Sequence, residues 1–334
     1  GRKGLDVDIN MMYNSNVQNS VKNWNISNPT GILGLGWDMS FDKIMVNKNG
    51  SGTSSSDEYF LASNGSANQL IQDGFLPANP VDILLFQLRN YEFWDVQYDA
   101  YNEKWTIIKE DGTAFIYGDK NSGRNTVQYG VQWGNWMGSS NVTIGQEHFA
   151  SAWNLSEVRN TWGESVFYTY DNVDVPVGNA NGLVYTQASY LKKIEDSFKR
   201  TIVFFYGEKY GAKNPGTKNI VEYQSAHTDQ PTPNAYQDSY ETRYLDYIEV
   251  RNKRNILQFT ILFEYDFINL GTNSQVEVYP LLWKRVLKSF WQVQPSGNTL
   301  PGIEFEYYDQ FQDINSGALK SILYPQGAKA IYSY

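Results

Sequence analysis

Leu287-Lys288-Ser289-Phe290, a polar turn through Pro295-Ser-Gly-Asn298, and then Ile303-Glu304-Phe305-Glu306-Tyr307 together decide the fold. The last five residues alternate apolar and acidic. In a strand, residues i, i+2 and i+4 share a face, so Ile303, Phe305 and Tyr307 point one way and the two glutamates the other. Pro, Ser, Gly and Asn between the halves supply turn chemistry. The stretch reads as an antiparallel hairpin with one apolar face.

The same pattern occurs five times. Leading segments start at Leu155 (with Val158), Leu191 (Ile194), Leu245 (Ile248), Leu287 (Phe290) and Leu319 (Ile322). Closing strands run Val166-x-Tyr168-x-Tyr170, Ile202-x-Phe204-x-Tyr206, Ile261-x-Phe263-x-Tyr265, Ile303-x-Phe305-x-Tyr307 and Ala330-x-Tyr332-x-Tyr334. From leading Leu to closing Tyr the separation is 15 residues in the first, second and fifth units and 20 in the others. No such hairpin can bury its apolar face alone, so neighbours must stack beside it. The unit starts are unevenly spaced, which predicts a long meander with loop insertions, residues 213–238 being one. An earlier hairpin, Trp105 to Tyr117, turns at Asp111-Gly112 between strong strand formers. The fold class expected is all-β, an extended antiparallel meander of irregular hairpins forming part of a curved β-shell. The best helix candidate, Val81–Leu88, is short.

Composition narrows the function. Aromatic residues make up 16% of the 334, favouring strands over helices. A net charge of −9 argues against non-specific nucleic-acid binding, which needs a basic surface. With no cysteine, disulfides, thiolate catalysis and Cys-ligated metals are excluded. No apolar run reaches the roughly 20 residues of a membrane helix. The chain begins at Gly1 rather than Met and reads as a piece of something longer, so a missing signal peptide carries no weight.

Three regions are expected: an amino-terminal β module over 1–75, an aromatic-rich hairpin region over 76–150, and the five repeats over 151–334. In the first, Gly4–Asn10 alternates as a half-exposed strand does. Gly31-Ile-Leu-Gly34-Leu35-Gly36-Trp37 implies a tight bend where backbones approach closely, with Trp37 as its anchor. Glu58-Tyr59-Phe60-Leu61 reads as a strand after the Gly/Ser/Asn loop 47–56.

These residues carry a resemblance. Gly4-Leu5, Tyr13-Asn14-Ser15, Gly34-Leu35-Gly36-Trp37 and Asp57-x-Tyr59-Phe60-Leu61, in that order, resemble the start of the SpvB and Tc-toxin B-subunit amino-terminal family. The Trp105–Tyr117 hairpin resembles that family's W…D-G-T…Y-G hairpin. The repeats resemble those leading into Rhs/YD repeats, Leu319-Lys-Ser-Ile322-Leu-Tyr-Pro325-x-Gly327 most of all. The chain departs from the family where an aromatic, proline-containing segment is replaced by the Ser/Gly loop 49–56. The resemblance implies the first part of a hollow shell around a cytotoxic carboxy-terminal polypeptide, with the toxic activity and a self-cleaving protease site lying beyond these residues. It implies as partners the remainder of the same polypeptide and a toxin-complex translocation subunit. It also implies a secreted or cell-surface location, with a cytoplasmic stage before export.

Chemical constellations are sparse. The two histidines, His148 and His227, have no Gly-x-Ser-x-Gly elbow and no metal-ligand spacing beside them, and read as ordinary polar residues. Glu304-x-Glu306 matches the E-x-E of the ADP-ribosyltransferase domain that SpvB-like proteins can carry. It lacks a Ser-Thr-Ser strand before it and reads as a strand's outer face. Asp171-Asn172-Val-Asp174 lacks the Gly and distal Glu of a calcium loop. No cofactor, metal or catalytic residue is expected. The structural motif residues are Gly34, Leu35, Gly36, Trp37, Asp111, Gly112, Tyr170, Tyr206, Tyr265, Tyr307 and Tyr334. Two readings stay open beside the shell: a carbohydrate-binding or adhesive module using Trp94, Trp105, Trp133 and Trp136, and a glycosidase using Asp95, Asp99, Glu110 and Asp111.

Overall fold

The computed structural model describes residues 5–15, 30–39, 41–48, 57–63, 65–75, 83–132, 147–176, 184–209, 239–269, 283–309 and 315–334. The expectations for Trp133, Trp136, His227 and the loops 49–56 and 213–238 lie outside them. Described strands run in chain order as β1 (Met12–Tyr13), β2 (Trp37–Asp38), β3 (Lys43–Asn47), β4 (Glu58–Ser63), β5 (Ser66–Phe75), β6 (Ile83–Leu88) and β7 (Asp95–Asp99). Next come β8 (Lys104–Ile108), β9 (Ala114–Gly118), β10 (Val127–Gln132), β11 (Glu147–Arg159), β12 (Ser165–Pro176), β13 (Val184–Asp196) and β14 (Thr201–Glu208). The rest are β15 (Arg243–Arg251), β16 (Leu257–Asn269), β17 (Trp283–Val293), β18 (Ile303–Tyr307), β19 (Leu319–Leu323) and β20 (Lys329–Ile331).

Among the described residues there is no helix. The helix candidate Val81–Leu88 is corrected: its described part, Ile83–Leu88, is β6, paired with β5 and β7. Ile-Leu-Leu-Phe is an apolar run too short to separate helix from buried strand by periodicity, and the flanking strands decide it. Leu5–Asn10 alternates in exposure as expected, yet no strand is assigned there.

The described residues divide into two compact units, one within 1–10, 40–199 and 229–239, the other within 11–39, 200–228 and 240–334. In the first, β3 through β9 pair successively, β9 pairs with β11, and β11 pairs back with β3. Eight strands thus close into a barrel. A barrel of this size has an interior that side chains fill. Here Trp105 touches Tyr59, Phe86, Tyr98 and Trp153, with ring centroids 4.5–5.7 Å apart. Closure also leaves β3 and β9 without free edges, which open sheets must otherwise guard. The 13-residue β11 extends past the barrel to pair with β10 and β12, and β12 pairs with β13.

In the second unit β14 to β20 form an antiparallel meander. A short β1–β2 ribbon belongs to the same unit. Its core joins Leu35, Ile268, Val286 and Ala318, with Tyr307 and Tyr308 packed against them.

Five hairpin loops share one geometry. In Lys109–Thr113, Asn160–Glu164, Asn252–Ile256, Gln294–Asn298 and Tyr324–Ala328, the first N–H donates to the last carbonyl and the fourth N–H returns to the first carbonyl. The fourth residue is left-handed each time: Gly112, Gly163, Asn255, Gly297 and Gly327, with φ between 61° and 85°. This is a three-residue hairpin loop, which demands Gly or Asn at that position.

Candidate functional site

The repeats meet through one recurring junction. Tyr117, Tyr170, Tyr206, Tyr265 and Tyr307 lie opposite Leu155, Leu191, Leu245, Leu287 and Leu319 respectively. At every junction the register then skips one residue: Ser156, Lys192, Asp246, Lys288 or Lys320. Each is a β-bulge, which leaves one residue unpaired and bends the strand.

The bulge explains the Leu-x-x-Ile spacing. In a regular strand, residues three apart face opposite ways. The extra residue restores Leu and the residue three later to the same face. Ile194 accordingly sits opposite Tyr168, Ile248 opposite Phe204, Phe290 opposite Phe263 and Ile322 opposite Phe305. All five leading leucines are buried, while Lys192, Asp246, Lys288 and Lys320 are exposed.

Each bulge also interrupts the regular ladder at its leucine, and at Leu155, Leu245 and Leu287 a tyrosine hydroxyl meets the leucine carbonyl. Tyr170 Oη donates to Leu155 O at 3.0 Å, Tyr265 to Leu245 at 2.5 Å and Tyr307 to Leu287 at 2.6 Å. The closing tyrosine of a unit thus ties down that unit's own leading leucine, while its backbone faces the next one. Leucine N–H groups are met by loops: Leu155 donates to Asp42 O, and Leu245 to Ile32 O. Burial pushes the Tyr265 and Tyr307 hydroxyls well above the ordinary tyrosine range, only partly opposed by Arg285 and by the Trp37 hydrogen bond respectively. They stay protonated and able to donate. Tyr334 is placed differently. Its hydroxyl and the Leu319 N–H both engage Tyr13, the latter at 2.8 Å.

The Gly34–Trp37 bend belongs to the second unit. Gly34 has φ +89°, and a Cβ there would lie 2.7 Å from the carbonyl oxygen of Arg285. The Leu35 N–H donates to that same carbonyl at 2.8 Å. Trp37 is buried against Tyr13 and Phe305, with centroids at 5.2 and 4.7 Å, and its Nε1 donates to Tyr307 Oη at 2.7 Å. The glycine bend and the fourth repeat therefore share one hydrogen-bonded cluster.

Arg285 was not singled out from the sequence. Its guanidinium lies 4.1 Å from the Tyr244 ring, 4.7 Å from Phe267 and 5.4 Å from Tyr265. Burial raises the Asp246 carboxyl, with Arg285 opposing. The aromatic residues around Arg285 come from two other strands, β15 and β16, so no local pattern announces the cage.

Trp94 and Trp105, two of the four glycan-platform candidates, are brought near one hairpin but not onto one surface. Trp105 is 0% exposed inside the barrel and offers no face to a sugar. Trp94 is half-buried, with the Lys109 ammonium 4.6 Å above its ring. Of the glycosidase candidates, Asp95 and Asp99 sit at opposite ends of β7, and Asp111 caps its own turn by accepting the Thr113 N–H at 2.9 Å. His148 stacks on Tyr129 at 4.4 Å, and its Nε2 lies 3.0 Å from Val184 O. Glu306 accepts from Lys329 at 3.0 Å and from Ser321 at 2.8 Å. Asn172 and Asp174 border a polar cavity of about 200 Å³ with Asp119, Asn125 and Tyr129. Among the described residues no three His, Cys, Asp or Glu side chains converge as a metal site, and no helix is long and apolar enough to cross a membrane.

No protein-family model matches the sequence, and no curated protein matches it. Solved structures do. The crystal structure of TcdB2-TccC3-Cdc42 matches with TM-score 0.57 and 15% identity over 92% of this chain. The Photorhabdus luminescens Tc holotoxin pore matches with TM-score 0.53 and 15% identity over 83%. The SpvB amino-terminal domain from Salmonella typhimurium matches with TM-score 0.49 and 15% identity, over 88% of this chain and 95% of its own. This chain spans only 15% and 14% of the first two. The two Tc-toxin matches bear out the Tc-toxin resemblance read from the sequence and the all-β expectation. The chain has the all-β fold of the matched segment of the TcdB2-TccC3 Tc toxin chains.

Proposed function

We propose that this chain is a non-catalytic wall segment of a Tc/Rhs-type toxin, helping to enclose a carboxy-terminal toxic polypeptide that lies outside these residues. The observation that carries this reading is the repeated Tyr–Leu junction in a chain that matches a TcdB2-TccC3 chain over 92% of its length. Each junction lays one hairpin against the next in a fixed register, and each bulge bends its own strand. Repetition of that kind builds a curved surface. Three of the described candidates fit the reading as well: Trp105 packs the barrel core, Asp111 caps its own turn and Glu306 accepts from Lys329.

In mechanism, such a wall acts by exclusion. It keeps water, proteases and partners from a cargo until release, and needs rigidity more than reactivity. Secretion, and partnership with the rest of the polypeptide and a translocation subunit, follow from the same reading. The test is protease protection in the full-length polypeptide that carries this chain. The carboxy-terminal polypeptide should resist digestion until the shell is unfolded. Digestion at the rate of the isolated cargo would remove the enclosing role.

A further inference from the structure

One end of the first unit is set with exposed aromatic rings. Its strands β6 to β9 and β11 to β13 are antiparallel neighbours, so the loops 89–94, 109–113, 160–164 and 197–199 all leave at the same end. On them Tyr91 is 65% exposed, Phe93 72%, Trp162 66% and Phe198 41%. The loops form one rim, each against the next. Lys109 reaches over the Trp94 ring at 4.6 Å, and a Cβ on Gly112 would lie 2.5 Å from Thr161 Cγ2. Ser197 Oγ accepts the Ser165 N–H at 2.7 Å.

These tips satisfy their own backbone. The Lys109, Gly112 and Thr113 N–H groups donate within their turn. Asn160 Oδ1 accepts from the Trp162 and Glu164 N–H groups, both at 3.0 Å, and Asp196 Oδ1 accepts from Phe198 at 2.9 Å. A tip whose donors are met internally can leave bulk water at little cost. It also offers few directional groups to a sugar or a peptide. The rings themselves point the same way. Side chains about two-thirds exposed line no groove, and the Tyr91 and Phe93 rings meet at 78°, which gives a sugar face no shared plane.

Charge selects the surface further. Exposed Arg89 and Lys199 stand among exposed Glu92, Glu110 and Asp111, so the rim carries both signs. A zwitterionic headgroup layer offers both in return. An anionic layer would meet these carboxylates and a chain of net charge −9. We propose that this rim is a peripheral contact surface for a zwitterionic lipid bilayer, with the four rings seated in the headgroup layer. Aromatic side chains favour that layer because their apolar faces and polar edges match its gradient. The inference stands on the rim and not on the enclosing role, whose readout, protease protection of the cargo, is separate.

The test co-sediments the full-length polypeptide that carries this chain with vesicles of pure phosphatidylcholine. Binding should saturate with lipid. Phe93→Ser combined with Trp162→Ser should weaken it by about tenfold or more, with the unfolding midpoint unchanged because both rings are exposed. Phe93→Tyr combined with Trp162→Tyr keeps two rings on the rim and should retain binding. Tyr101→Ser is the matched control: that ring is 69% exposed in the β7–β8 turn, at the opposite end, and its loss should change nothing. No co-sedimentation up to about 5 mM lipid overturns the proposal. So does binding that the serine pair leaves intact, that the tyrosine pair abolishes, or that Tyr101→Ser weakens equally. Binding that appears only when anionic lipid or glycolipid is added overturns it too, since charge or a sugar is then what the rim recognises.

Discussion

Tyr265 Oη donates to the carbonyl oxygen of Leu245 at 2.5 Å, joining residues 20 apart across a hairpin. Tyr265 itself stands opposite Leu287, the first residue of the next unit. One side chain therefore closes its own hairpin while its backbone registers the neighbour. The same pairing of roles recurs at Tyr170 and Tyr307.

Tyr265→Phe should destabilise the chain by about 1–2 kcal/mol, the cost of one unmet buried acceptor. Tyr307→Phe should cost more, because it strands both the Leu287 carbonyl and Trp37 Nε1. Urea unfolding of both variants checks this, and neutral values would show that water replaces the hydroxyls.

Deleting Lys288 should cost more than Lys288→Ala. The alanine keeps the bulge and changes an exposed side chain, with an effect within roughly 0.5 kcal/mol. The deletion leaves Leu287 and Phe290 two apart and still on one face. It removes the bulge and its bend and returns the Leu287 carbonyl to the ladder, so the buried Tyr307 hydroxyl loses its acceptor at a cost of about 1–2 kcal/mol. Circular dichroism and yield of soluble chain separate the two outcomes.

Gly34→Ala and Gly163→Ala form a matched pair. Both glycines have left-handed φ, +89° and +79°, but only at Gly34 does the new Cβ strike backbone. Gly163→Ala should cost about 1–2 kcal/mol from φ alone. Gly34→Ala should cost clearly more and lower the thermal midpoint further. Equal midpoints would mean that the Gly34–Arg285 approach relaxes freely.

Stability should hold through neutral pH and fall steeply above pH 10. The hydroxyls of Tyr98, Tyr168, Tyr265 and Tyr307 are raised by burial, and Tyr59 by the same cause to about 12. A group with a raised folded value keeps its proton in the fold while the unfolded chain releases it. Its contribution is complete below about pH 10 and is lost as pH climbs toward the folded value. Urea midpoints at pH 8, 10 and 11 test the sign; a flat profile would contradict the buried-donor role.

Much of this was legible in the chain itself. Alternation in Ile303–Tyr307 fixed the closing strands. Asp111-Gly112 and Pro325-Gln-Gly327 marked turns, because few residues tolerate a left-handed backbone. Three glycines before Trp37 signalled a close approach. Asn252–Asn255 escaped notice, since Asn fills the left-handed position there without a glycine to announce it.

Tertiary structure decided the rest. No local pattern says that β11 reaches back to β3, so barrel closure was invisible, as was the burial of Trp105 within it. The repeat Leu-x-x-Ile was visible as letters, but its three-residue spacing fits a helix as well as a strand. Only the facing tyrosine strand shows that a bulge absorbs the odd residue. The sequence by itself determined which residues alternate and where the chain turns, because those depend on neighbours along the backbone. Register, bulges and the Tyr-to-Leu hydrogen bonds depend on partners 15 or 20 residues away, and were settled only when the strands met.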